Sequence, residues 1–334
     1  MAEAASPEGP WTQRGCVVKT NEASVMNAID PSVMADPVTG KWWMHYGSFF
    51  GGLLLRRVGS GNRTSRPRRE IRGHLTARRA NYQKDNLEAP EIIYNPDLKQ
   101  YYLFVSYDPL MTTYNVRVGR SDKAEGPFVD FSGVELKDTT NNFPILTAPY
   151  RFHNHPGWAG TAHCSVFTSD EGQYFMAHQG RLSPHNQMMD LHLETGLFYA
   201  DGWPVVSPER YTGCVSRKFS AEDMAGEWEV IRIQEPAYER RLQAGQILWG
   251  EGQLKEEEWN VSHLLSLEKN GNLGENKGTW ELLEAKQLLS LTLEGEIINN
   301  LIIFAGHDWE NEKETVLFTG LDSCGRSIWG KRIK

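Results

Sequence analysis

Short runs in which apolar and polar positions alternate recur along the first two-thirds of this 334-residue chain. Residues 41–46 (KWWMHY), 100–107 (QYYLFVSY), 114–121 (YNVRVGRS), 163–168 (HCSVFT) and 173–178 (QYFMAH) each fit a half-buried strand. Asp-Pro, Asn-Pro, Glu-Gly-Pro and Asp-Glu-Gly turns separate them. Helical periodicity is scarce up to about residue 212. The spacing predicts an all-β domain of small antiparallel sheets, a propeller or a sandwich. A loose repeat favours the propeller. A carboxylate or histidine opens it, then a strand, a turn and an aromatic strand follow, over residues 30–48, from Glu88 to residue 107, and from His163 to residue 180. Units about 60 to 75 residues apart suit a four-stranded blade with its loops. The innermost strands of a propeller converge, so these openings would meet in one pocket.

The texture changes near residues 213–222. Gly226-Glu227-Trp228-Glu229 and Gly278-Thr279-Trp280-Glu281 form a second repeat, followed by the alternating runs 288–293 (LLSLTL), 297–304 (IINNLIIF) and 315–319 (TVLFT). These predict a small antiparallel β-barrel, dividing the chain into residues 1–213 and 214–334. Residues 235–244 have the pattern of a short helix. Residues 56–79 hold nine arginines and one acid, Glu70, with no interleaved aromatic side chains. That composition reads as a solvated loop between blades, not as a surface for stacking bases.

The net charge of −8 gives no reason to expect nucleic acid as a partner. The 11 Trp and 12 Tyr suit either sugar stacking or a β-sheet core. For most of them, including Trp228, Trp249, Trp259 and Trp280, the core is the expectation. Cys16, Cys164, Cys214 and Cys324 lack CxxC spacing, so they indicate neither a zinc site nor a disulfide framework. No apolar run reaches the roughly 20 residues of a membrane span, and the N-terminus has no signal-peptide pattern.

Two carboxylates stand in distinctive frames. Asp30 lies in Asn27-Ala28-Ile29-Asp30-Pro31-Ser32, and Glu88 in Asn86-Leu87-Glu88-Ala89-Pro90-Glu91. Each precedes a proline and a strand, which would present paired carboxylates at the mouth of a sheet, as glycosidic cleavage requires. Alone, Asp30-Pro31-Ser32 is a common turn signal and Glu88 an ordinary surface acid, with Glu91 a competing candidate. In a rival reading Asp30 is itself the general base of an inverting pair. Arg181 reads equally as a clamp on the site's carboxylates or as a surface salt-bridge partner. His153, His155 and His178 are candidates for polar lining, and a lone His163 is usually a core residue.

With these frames, Tyr46-Gly47-Ser48-Phe49-Phe50-Gly51-Gly52, residues 101–107, residues 114–121, Ala162-His163-Cys164-Ser165 and Asp201-Gly202-Trp203-Pro204-Val205-Val206, the chain resembles glycoside hydrolase family 43, in particular its endo-1,5-α-L-arabinanases. The resemblance covers roughly residues 8–213. It implies a five-bladed β-propeller and inverting hydrolysis of α-1,5-L-arabinofuranosidic bonds, with arabinan or arabino-oligosaccharide as the partner. Three carboxylates act in that family: an Asp that activates water, an Asp that tunes and orients the acid, and a Glu that protonates the leaving oxygen. Asp30 matches the second and Glu88 the third. His163 matches a histidine beside an axial metal, usually calcium held largely through water. Asn27, Ala28, Ile29, Gly47, Ser48 and Phe49 match positions lining the sugar subsites. The departure lies ahead of Asn27, where no Asp-Pro motif supplies the first Asp. The expected architecture is therefore an incomplete five-bladed propeller, its first blade or more missing, followed by the C-terminal barrel of the larger members. Its open strand edges would favour self-association. Two alternatives remain open: a noncatalytic protein that binds arabino-oligosaccharides, and an exo-acting arabinofuranosidase or xylosidase.

Overall fold

The computed structural model describes residues 1–24, 26–49, 51–58, 74–78, 86–138, 142–194, 198–214, 217–235, 253–293 and 295–334. The tryptophan-rich alternating run becomes the strand Trp42–Tyr46, which pairs antiparallel with Ser32–Ala35 on one side and Leu53–Val58 on the other. His74–Ala77 completes this four-stranded sheet. The Asp36 carboxylate closes its first turn, accepting from the Val38 N–H at 3.0 Å and from the hydroxyls of Thr39 and Tyr101. A second meander runs Leu87–Asn95, Gln100–Tyr107, Asn115–Ser121 and Ile145–Thr147. In a third sheet Tyr174–Leu182 is central, flanked by Ser165–Thr168 and Asp190–Glu194, with Trp158–Ala159 paired to its far end. Phe198–Ala200 and Trp203–Val205 add a hairpin. The chain is all-β as expected, and its first part is an incomplete propeller of three blades and a hairpin that stays unclosed among the described residues.

One buried histidine between the first two blades sets a pH dependence. His45 is fully buried, edge-on to Phe128 at 5.6 Å, with Nε2 3.3 Å from the Ala124 carbonyl. Burial pushes its pKa down to about 4, only partly opposed by that carbonyl. An unfolded histidine titrates near 6.5, so between these values the unfolded chain binds a proton that the folded chain refuses. The contribution of His45 to stability is therefore intact above pH 6.5 and is lost as pH falls towards 4, amounting to roughly 3 kcal/mol. Urea midpoints at pH 7 and pH 4.5 should show His45→Gln losing less stability than the parent protein. Equal losses would contradict this account.

The C-terminal part closes into an eight-stranded barrel in which Gly226–Arg232 pairs with both His263–Leu267 and Ser327–Arg332. The two Gly-x-Trp-Glu repeats each open a barrel strand and place Trp228 and Trp280 in its core, against Leu265, Leu291 and Phe318. Gly278 is obligatory at its start: φ is +147°, and a Cβ there would lie 1.7 Å from the Thr292 carbonyl oxygen. Trp259 is also buried, while Trp249 lies outside the described residues. The expected helix over 235–244 lies outside them beyond Glu235, as does most of the arginine-rich segment. The barrel is joined to the propeller by a shared core, because Ile231, Ile233 and Trp329 belong to the same buried cluster as Tyr102, Tyr150 and Trp158. Tyr150–Arg151 also pairs parallel with Asn260–Val261. Among the described residues, no helix is long and apolar enough to cross a membrane.

Candidate active site

The first strands of the three blades converge beside a cavity of about 710 Å³, whose wall includes Asp30, Ala89, Glu91, His163, His178 and Asp190. Asp30, Ala89 and His163 hold equivalent places, each in the left-handed region with φ of 51°, 50° and 57°. Non-glycine residues held there cost about 1–3 kcal/mol each and gather at functional sites. The structural repeat thus runs through Ala89, one residue past Glu88. Two residues beyond each lie Ser32, Glu91 and Ser165. The Glu91 carboxylate accepts from the Ser32 hydroxyl at 2.8 Å and from the Ser165 hydroxyl and Val166 N–H, both at 3.1 Å. Glu91 therefore stitches three blades together. The shared spacing of Ser32, Glu91 and Ser165 was a visible signal for that role.

The Tyr-Gly-Ser-Phe turn brackets Glu88. Gly47 N–H donates to the Ile29 carbonyl at 3.0 Å, and Phe49 N–H to the Leu87 carbonyl at 2.8 Å. A side chain at Gly47, with φ +133°, would meet the Gly52 carbonyl oxygen at 2.6 Å. The turn holds Ser48 so that its hydroxyl donates to Glu88 Oε2 at 2.9 Å, while the Tyr114 hydroxyl donates to Oε1. Burial, followed by the charge of Glu88, pushes the Tyr114 pKa far up, so Tyr114 stays a donor. Residues 114–121 stood out as a strand run and a family segment, but nothing in them gave Tyr114 a role in the site; it immediately precedes the strand Asn115–Ser121. Glu88 is itself buried, whereas Asp30 is half-buried on the cavity wall.

The other expected site residues fall into three groups. His163 is exposed on the cavity wall, and its backbone N–H donates to the Ser106 hydroxyl at 2.9 Å. Ala28 and Ile29 line a neighbouring apolar groove of about 800 Å³, with Val33, Trp42 and Met44. Pro31 borders both spaces, and half-buried Asn27 lies beside them in sequence. Gly47, Ser48 and Phe49 are buried parts of the bracket. Arg181 is buried, and its guanidinium donates to the carbonyls of Asn186 at 2.8 Å and Gln187 at 3.4 Å. It braces the loop that leads to Met189 on the cavity wall.

Two groups of described residues have the geometry to hold a metal ion: His178, His192 and Glu194, and Glu209, Asp308 and Glu310. His163 belongs to neither. Calcium takes six to eight oxygen ligands, and the imidazole of His163 offers one nitrogen.

A half-buried Asp and a strained histidine on one cavity, with a bracketed Glu next in sequence to its wall residue Ala89, suit chemistry on a sugar chain, and comparison with known proteins agrees. Residues 208–330 match a C-terminal lipocalin-like domain. Over 99% of its length the chain is 25% identical to the extracellular endo-alpha-(1->5)-L-arabinanase 2 of Bacillus subtilis, covering 72% of that protein. It is 29% identical over 64% of its length to the extracellular exo-alpha-(1->5)-L-arabinofuranosidase ArbA of Cellvibrio japonicus, covering 62% of that protein. Its fold superposes on the crystal structure of endo-1,5-alpha-L-arabinanase from Thermotoga petrophila RKU-1 with a TM-score of 0.83, at 23% identity, over 100% of this chain and 77% of that one. Residues 1–204, more than half of the chain, match the Glycosyl hydrolases family 43, and the chain belongs to that family.

Proposed function

We propose that this protein cleaves α-1,5-L-arabinofuranosidic bonds in arabinan with inversion at the cavity where the three blades meet. The convergence of Asp30, the Glu88 frame and His163 on one cavity carries this reading, and the names of the related proteins set the substrate class. Glu88 is the general acid that protonates the leaving oxygen, oriented by the hydroxyls of Ser48 and Tyr114. Asp30 tunes and orients that acid from the cavity wall. No residue of this chain matches the family's first Asp, which takes the proton of the attacking water, so inverting turnover depends on a base not assigned among these residues. Asn27, Ala28 and Ile29 extend the sugar-binding surface towards the apolar groove, and Gly47, Ser48 and Phe49 hold the bracket. Arg181 positions the wall through the 186–189 loop. An axial calcium beside His163 would be held almost entirely by water, and no step is assigned to it.

The experiment is incubation with linear arabinan and chromatography of the products. A ladder of short arabino-oligosaccharides supports endo action, and arabinose alone supports exo action. One observation favours a second reading, binding without cleavage: both oxygens of Glu88 are engaged and the residue is not part of the cavity wall. Calorimetry with arabinohexaose separates the two. Binding without products supports the second reading, and neither binding nor products overturns both.

A further inference from the structure

A cluster on the inner side of the third blade has no role in the proposed reaction. His178 on Tyr174–Leu182 lies directly opposite His192 on Asp190–Glu194. Glu194, two residues past His192, projects to the same face of the sheet. All three side chains are buried. His178 Nδ1 is 2.7 Å from the Gln179 carbonyl, which can only accept, so Nδ1 carries the hydrogen. Nε2 then faces Glu194 Oε1 at 3.2 Å. A lone pair facing a carboxylate oxygen needs a cation between them, either a proton or a metal. His192 Nδ1 is 3.9 Å from the same oxygen, and neither nitrogen of its ring has a hydrogen-bond partner among the described residues. Glu194 Oε2 also has no hydrogen-bond partner among the described residues. A buried polar atom without a partner calls for an explanation.

We propose that His178, His192 and Glu194 bind a divalent cation of the zinc class. Two imidazoles and one carboxylate form a donor set for zinc, not for calcium. Ligand atoms about 2.0–2.1 Å from a tetrahedral zinc lie about 3.3 Å apart. The separations of 3.2 and 3.9 Å bracket that value, and all the ligand atoms lie within 4.8 Å of one another. The Gln179 carbonyl supplies the outer hydrogen bond that fixes a ligating imidazole. The other metal-like group differs, because the Lys331 ammonium already occupies the space between Glu209, Asp308 and Glu310. Ala177, Gln179 and Leu191, on the same two strands, form part of the cavity wall. A bound ion would therefore tie together the strands that carry this wall.

The test is calorimetric titration of the EDTA-treated full chain with Zn²⁺, with bound metal counted by mass spectrometry and Co²⁺ used as a visible-spectrum probe. One tight zinc per chain and a rise in Tm are expected. Glu194→Gln and His192→Ala should each weaken that site by about 100-fold or more while keeping the parent circular dichroism. Failure of the parent chain to take up one zinc overturns the site. So does retention of parent affinity by either folded variant, which would place the zinc elsewhere. None of these readouts depends on hydrolytic activity.

Discussion

Glu88→Gln is expected to lower turnover of linear arabinan by about 10²–10⁴-fold, the usual contribution of a positioned general acid, with little change in Tm. The amide has the shape of the carboxyl group but holds no proton to give to the leaving oxygen. Its carbonyl oxygen still accepts from one of the hydroxyls of Ser48 and Tyr114, and its NH₂ donates to the other after that hydroxyl rotates. The bracket around the Tyr-Gly-Ser-Phe turn then stays closed, and arabino-oligosaccharide binding persists. Steady-state kinetics, calorimetry and a thermal melt together test this. A variant keeping more than about a tenth of parental turnover would remove Glu88 from the acid role. Loss of turnover accompanied by unfolding would make the residue structural.

Lys331→Met is expected to destabilise the protein by about 3–5 kcal/mol, the range for breaking a buried ion pair from one side. Lys331 has no exposed surface. Its ammonium is 2.8 Å from Glu209 and 2.9 Å from Asp308, it also meets Glu310, and it sits 3.9 Å above the Phe152 ring. Burial alone would pull its pKa down, but the charges of Glu209 and Glu310 outweigh this and hold it above the ordinary lysine value. Burial pushes the Glu209 carboxyl far up in turn, partly offset by Lys331. Methionine matches the stem of lysine and leaves two buried acids, Glu209 and Asp308, and the half-buried Glu310 with no cation among them. Glu209 and Phe152 precede the barrel, whereas Asp308, Glu310 and Lys331 belong to it. The damage therefore falls on the seam between the two parts. Urea midpoints should report it, and a loss below about 1 kcal/mol would mean that water or rearranged side chains replace the ammonium.

The deletion of one positive charge should thus matter more than the loss of any exposed arginine. Arg217, for example, pairs with Asp223 at 3.1 Å with more than half of its side chain in solvent. Pairs of that kind contribute about 0–1 kcal/mol.

Period-two alternation found the strands: Gln100–Tyr107 and Leu288–Leu293 coincide with their runs, while Tyr174–Leu182 and Glu296–Asp308 each continue four residues past theirs. That pattern is local: a strand buries every second side chain whichever sheet it joins. The Gly-x-Trp-Glu repeats likewise marked two barrel strands, because their glycine and tryptophan meet steric demands of the strand itself. The Asp30 and Glu88 frames were legible because each is a short continuous segment. Other features depended on blade packing and strand register, which bring together residues far apart in sequence. Glu91 reaches Ser165 across 74 positions and Lys331 reaches Glu209 across 122. Tyr114, at the entry to Asn115–Ser121, closes over Glu88 only because the blade brings that entry beside Leu87–Asn95. His178 meets His192 and Glu194 only because the third hairpin has that register. The chain by itself determined the all-β architecture, the barrel and the family frames, since these follow from local alternation and contiguous motifs. The tertiary structure alone decided which carboxylate is a stitch, which is bracketed and which is caged by lysine, because a buried charge takes its role from the groups that desolvate and pair with it.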